Sequence, residues 1–191
     1  MAGETAVTYF SLGEDTDILP ERYANPVIYL GVGGSGTFLV GPEGCAKPLR
    51  AGECLSIDVN TLCGVSSADG FVCVEIMPRK EIFMNKAVKA GEVFSLAALV
   101  PYEKDSIVNM DVASNDAMKL VVMAFDAGTG LSEHRAPGDA LVLALEGEAT
   151  IGYEGESHRI HAGESFRFEK NGLHSVKAEK SFKMALLMTL K

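Results

Sequence analysis

The chain has 191 residues, 47% hydrophobic and 23% charged, with a formal net charge of −9 at pH 7. That apolar share excludes a disordered chain, and the acidic balance, with no basic cluster, excludes nucleic acid as a partner. No stretch approaches the ~20 apolar residues of a membrane helix, and Met1–Val7 lacks the basic start and apolar run of a secretory signal, so no membrane contact and a cytoplasmic location are expected.

Breakers are dense, with 20 Gly and 7 Pro. Between them lie short runs rich in β-branched and large apolar residues: Thr5–Leu12, Pro26–Leu30, Thr37–Val40, Phe71–Met77, Lys119–Phe125, Ala140–Leu145, Ser165–Phe168 and Phe182–Leu190. Strands of this length separated by turns predict an all-β sandwich or barrel. Helical period is weak; Val93–Val100, before Pro101, reads as one short turn or a linker element. Cys45, Cys54, Cys63 and Cys73 form no Cys-x-x-Cys pair and read as reduced thiols that pack like small apolar side chains.

Gly31-Val-Gly-Gly-Ser-Gly36 matches the dinucleotide-binding glycine pattern. That chemistry requires the last glycine to open a helix. Here Thr37–Val40 continues as a strand, then Gly41-Pro42 turns, so the run reads as a glycine-rich hairpin.

The same glycines belong to an internal repeat. At an offset of 111 residues, Gly36 meets Gly147, Gly44 meets Gly155, Ala51-Gly-Glu53 meets Ala162-Gly-Glu164, Asn60 meets Asn171, and Phe71 meets Phe182. Turn residues and single core positions are what backbone geometry would dictate in two copies of one fold. The expected organisation is a first domain over 1–80, a linker over 81–98 and a second domain over 99–191. The first copy has no counterpart for Val93–Val112, so it starts one or two strands late. Its open sheet edge must be covered, either by Glu81–Val88 or by a strand from a second subunit.

The chemistry-bearing stretch runs from Gly128 to His174. Gly128 is followed at fixed spacing by His134, Ala136, Ala140 and Gly147; Gly163 is followed by Glu169, Asn171, His174 and Ala178. In its glycines and hydrophobic frame this stretch resembles the two motifs of the cupin family, and the repeat extends the likeness to a bicupin. The resemblance implies two tandem cupin-type jelly-roll (double-stranded β-helix, RmlC-like) barrels. It also implies a divalent metal held by two histidines of a His-x-His pair, an acid and a later histidine. Side chains two apart on a strand share a face, so such a pair projects both imidazoles inward. Carried over residue by residue, only His134 and His174 remain; the second histidine is Ala136 and the acid is Ala140. Asp139 and Glu133 have the wrong parity for a regular strand. His158 and His161 read as solvated. In the first copy the same positions hold Tyr23, Asn25, Tyr29 and Cys63, no metal set, with the tyrosines expected to fill or line the cavity.

Val142 and Ala144 share the face of Ala140, and Phe125, Phe166, Phe168 and Met184 are candidate walls. The expected site is therefore an apolar pocket lined by His134, Ala136, Ala140, Val142, His174, Phe125 and Phe168. The expected function is a small-molecule-binding or sensory bicupin, a homodimer, with no cofactor. The alternatives are a metal-dependent dioxygenase or isomerase using His134 and His174 as metal ligands, and a structural dimerisation module.

Overall fold

A computed structural model describes residues 5–190. The described chain is almost wholly β, with one 3-10 turn at Ala97–Leu99, and none of its helices is long and apolar enough to cross a membrane. It divides into two compact units: the residues up to Ile82 with Lys86–Ser95, and Phe83–Asn85 with the residues from Leu96 on.

The first unit holds β1 (Thr5–Arg22), β2 (Val27–Val40), β3 (Cys45–Arg50), β4 (Glu53–Ile57) and β5 (Leu62–Pro78). One six-stranded sheet runs β1-β5-β2-β4, with β3 on β2 and a sixth strand, Val93–Ser95, on β4. Three of these strands are unusually long, and bulges let them bend around their own core. In β2 the register slips between Gly31 and Gly33 and again between Gly34 and Thr37. The glycine run is thus the bend of one continuous strand, not a hairpin; the reversal comes at Gly41–Gly44. Glycine is needed at 36 because a Cβ there would lie 2.6 Å from the Phe71 ring. The core is Val27, Phe38, Leu49, Leu55, Ile57 and Phe71, each at most 1% exposed.

The second unit begins with β6 (Phe83–Met84), while Val93–Ser95, in the first unit, is β7. Residues 81–98 are therefore shared between the units: β6 pairs with β8 (Ile107–Ser114) and β7 with β4. The stretch Glu81–Val88 does not cover β1, which ends its sheet with β5 as its partner. The remaining strands are β9 (Met118–Phe125), β10 (Gly130–Arg135), β11 (Asp139–Glu146), β12 (Glu148–Tyr153), β13 (Glu156–His161), β14 (Ser165–Phe168), β15 (Leu173–Lys177) and β16 (Phe182–Thr189). They form two sheets, β10-β15-β12-β13 and β14-β11-β16-β9-β8-β6, around Phe125, Val142, Ile151, Phe168 and Phe182. Buried Lys183 ties residues 97–102 into this unit: its Nζ donates to the Ala97 carbonyl (2.7 Å), pairs with Glu146 (3.4 Å) and lies 4.5 Å from the Tyr102 ring centre.

The 111-residue offset also maps strand on strand. It carries β13 onto β3 end to end, β11 and β12 onto β2, and β15 and β16 onto β5. Gly44 and Gly155, Gly52 and Gly163, and Asn60 and Asn171 all have positive φ, the conformation these residues tolerate best. The carboxylates of Glu53 and Glu164 accept from the backbone N–H groups of Arg50 and His161, both at 2.8 Å.

Candidate functional site

β10 is the end strand of its sheet and β15 lies beside it. A bulge between Leu131 and His134 sets His134 directly opposite His174, and their ring centres stand 4.3 Å apart. The two imidazoles are anchored alike. Nδ1–H of His134 donates to the Ser132 carbonyl (2.8 Å), and Nδ1–H of His174 to the Gly172 carbonyl (2.9 Å). A ring whose Nδ1 carries the proton leaves Nε2 with its lone pair, the tautomer suited to accept a hydrogen bond or bind an electrophile. His134 is exposed and His174 is 6% exposed. Burial pulls the His174 pKa below the ordinary value; its hydrogen bond to Gly172 opposes that and the neighbouring His134 adds to it. Burial thus favours the neutral form of His174.

The sequence motif departs from the family at Asn171, yet Asn171 has φ 63°, so the turn that presents His174 keeps the left-handed backbone a glycine would supply. Asp139 points away from the pair. Its Oδ1 accepts from the Lys170 N–H (2.9 Å) and pairs with Arg167 (3.5 Å). Glu133 is exposed.

The other expected pocket residues are placed as follows. Ala136 and Ala140 are buried, at 8% and 3% exposure. Ala140 pairs across the sheet with Phe168, and Val142 with Phe166. Phe168 stacks on His174, ring centres 4.1 Å apart at 22°. Phe166, Phe168 and Tyr153 contact one another at 5.4–5.7 Å. The space expected behind the two alanines thus holds aromatic rings, and the histidine pair stands at the rim of this packed cluster. Phe125 belongs to the same buried cluster as Ala140, Val142 and Phe168, its ring against Phe182 at 5.9 Å.

His158 departs from expectation. It is half-buried, on the same strand face as Ile160, with its ring centre 5.0 Å from Phe166. His161 does lie exposed, paired with Glu148 and Glu164. Alternation along β13 carries the signal that separates the two.

A divalent metal, which the resemblance implies, needs more donors than this site offers. Two ligand positions are buried alanines, and among the described residues no group of three His, Cys, Asp or Glu side chains can hold a metal ion. The residues present do not fit such a metal.

In the first unit, Tyr23, Tyr29 and Cys63 do line a cavity, with Glu75, a residue the sequence reading passed over. Glu75 shares a strand face with Phe71 and Cys73, and a period-two reading of Phe71–Met77 would have exposed it.

Among curated protein sequences, none matches this chain. Residues 121–190 match the family model described as "Cupin domain". Among solved structures, the chain is similar to a Cupin 2 conserved barrel domain protein from Leptotrichia buccalis. The identity is 28%, over 97% of this chain and 84% of that one, with a TM-score of 0.85. It shares its fold with a salicylate 1,2-dioxygenase from Pseudaminobacter salicylatoxidans (12% identity, 97% of this chain and 70% of that one, TM-score 0.70). It also shares it with AerE from Microcystis aeruginosa (12% identity, 100% and 90%, TM-score 0.58). The facing sheets and the motif spacing agree with these likenesses: residues 121–190 match a cupin domain, and the chain is similar to cupin barrel proteins in fold.

Proposed function

We propose that the protein is a small-molecule-binding bicupin whose ligand docks at the rim of the second unit, on His134 and His174. One observation carries this reading: two adjacent imidazoles are both fixed by backbone carbonyls in the tautomer that leaves Nε2 available. Neutral Nε2 atoms accept hydrogen bonds, and the neighbouring Phe168 and Phe166 rings offer flat apolar area. The matching ligand is a small planar molecule bearing a hydroxyl, such as a phenol. The repeat of strands and turns at 111 residues supports two barrels. Among the described residues β1 ends its sheet with only β5 beside it, an edge that supports a homodimer covering it.

The test is 15N NMR of the two imidazoles during titration with phenol and 4-hydroxybenzoate. Saturable movement of both Nε2 signals is expected, with the affinity lost by about tenfold or more in His134→Ala and His174→Ala. Unmoved Nε2 signals across the phenol series would refute the reading, as would stoichiometric tight binding of iron, manganese or nickel by the pair. Sedimentation of the full chain as a monomer at micromolar concentration would refute the dimer.

A further inference from the structure

The first unit contains a buried carboxyl group in an otherwise apolar interior. Glu75 is 5% exposed and lies on β5, directly across from Tyr29 on β2. At the 111-residue offset its counterpart is Leu186, so the fold itself does not require a carboxyl here. Burying one costs free energy unless it is hydrogen-bonded or given a counter-charge.

Glu75 faces a largely enclosed cavity of about 10 Å³, room for one water-sized occupant, lined also by Phe10, Tyr23, Tyr29, Phe38 and Cys73. The Tyr29 and Phe38 rings are 4.7 Å apart. The thiols bordering the cavity stay neutral, because burial pushes Cys63 up to about 11 and Cys73 up to about 12. Tyr29 stands directly across the sheet from Glu75, and Tyr23 lines the same cavity on its half-buried side. Burial raises the Glu75 pKa, the Tyr29 hydrogen bond opposes this, and the like charge of Glu21 adds to the rise.

A carboxylate held out of water at the end of an aromatic-walled space favours one kind of guest: a compact cation with N–H donors, attracted by the charge and by the ring faces together. We propose that this cavity is a second ligand site, which seats a small primary ammonium head on Glu75 among the rings of Tyr29, Phe10 and Phe38. The half-buried Phe10, Ile18 and Tyr23 form its mouth, where an alkyl chain on the amine would leave. Binding is coupled to a proton. The ammonium keeps its own protons, and the Glu75 carboxyl gives up one, which leaves to solvent through the cavity mouth. No bond between heavy atoms forms or breaks.

The site and the His134–His174 rim lie in different units, so each stands or falls alone. The test is a titration of the full chain with methylammonium chloride, with methanol and sodium chloride as controls. The amide signals of Tyr29, Cys73 and Glu75 and the Glu75 side-chain 13C carboxyl signal are followed by NMR. Expected are saturable shifts with methylammonium alone, proton uptake by the buffer on binding, and affinity that tightens as pH rises through the Glu75 titration. Occupancy must also lower the Glu75 midpoint, by linkage. Glu75→Gln is expected to weaken binding about tenfold or more. Should that variant not fold, Tyr29→Phe and the pH profile of the wild type provide the same decision. Equal response to methanol and methylammonium, binding independent of pH, or full affinity in Glu75→Gln would each overturn the proposal.

Discussion

His174 and Glu75 both lie buried within their units, and their protons act on stability in opposite directions. The folded-state pKa of His174 is depressed by burial. Its contribution is present above the unfolded value of about 6.5 and is lost as pH falls through the folded value, because the unfolded chain then binds the extra proton. Replacing His174 with Gln is expected to flatten the acid-side loss of the melting temperature between about pH 7 and pH 5. Glu75 is the reverse case. Its folded pKa is raised above the ordinary glutamate value, so its contribution is complete below that value and is lost as pH rises through the folded pKa. Glu75→Gln is therefore expected to leave stability near pH 4 little changed and to raise the melting temperature at pH 8, by several degrees if the gain is about 1 kcal/mol. Calorimetry at the two pH values checks both variants; a Glu75→Gln protein that melts lower at pH 8 would contradict the assignment. These residues were unequally legible. Spacing from Gly128 picked out the histidines. Glu75 was hidden inside an apolar run, and the aromatic packing behind Ala140 depends on which residue stands across the sheet, which sequence spacing does not reveal.

At the level of strands, glycine decides where the chain bends and where it stops. Gly147 (φ 73°) separates β11 from β12, whereas at its counterpart Gly36 the strand β2 runs on unbroken. Local sequence marks both places with glycine, so it could not tell a bulge from a break; the strand pairing does. Gly138 shows the steric limit. A Cβ there would lie 1.6 Å from the Thr189 carbonyl oxygen at the start of the β11–β16 pairing. Gly138→Ala must push β11 away from β16, and a loss of about 1–3 kcal/mol is expected in urea denaturation. A midpoint within error of the wild type would show that the two strands separate there at no cost. The turns were the most readable elements, because Asn60, Asn171 and the paired glycines are types chosen by positive φ.

Across the whole molecule, the units are interleaved in sequence: β6 belongs to the second and β7, which follows it, to the first. No single cut separates them cleanly. A fragment of residues 1–82 lacks β7, the buried Val88 and the Gly91 N–H bond to the Ser56 carbonyl (2.8 Å). It is expected to melt roughly 5 °C or more below a fragment of residues 1–95; equal melting temperatures in thermal denaturation would show that the segment adds nothing. The repeat had revealed two copies in the sequence, but a strand exchange of two or three residues leaves no periodic trace.

This interleaving also orders events on the ribosome. The first unit cannot close its sheet until Ser95 has emerged, and by then Phe83 and Met84 have already been released. β8, their pairing partner, is synthesised more than twenty residues later. Phe83, still 60% exposed in the finished fold, belongs to a short apolar strand that waits unpaired while the chain is being made. The segment is brief, and Lys80, Glu81 and Lys86 flank it with charge. Such flanking charges discourage edge-to-edge association.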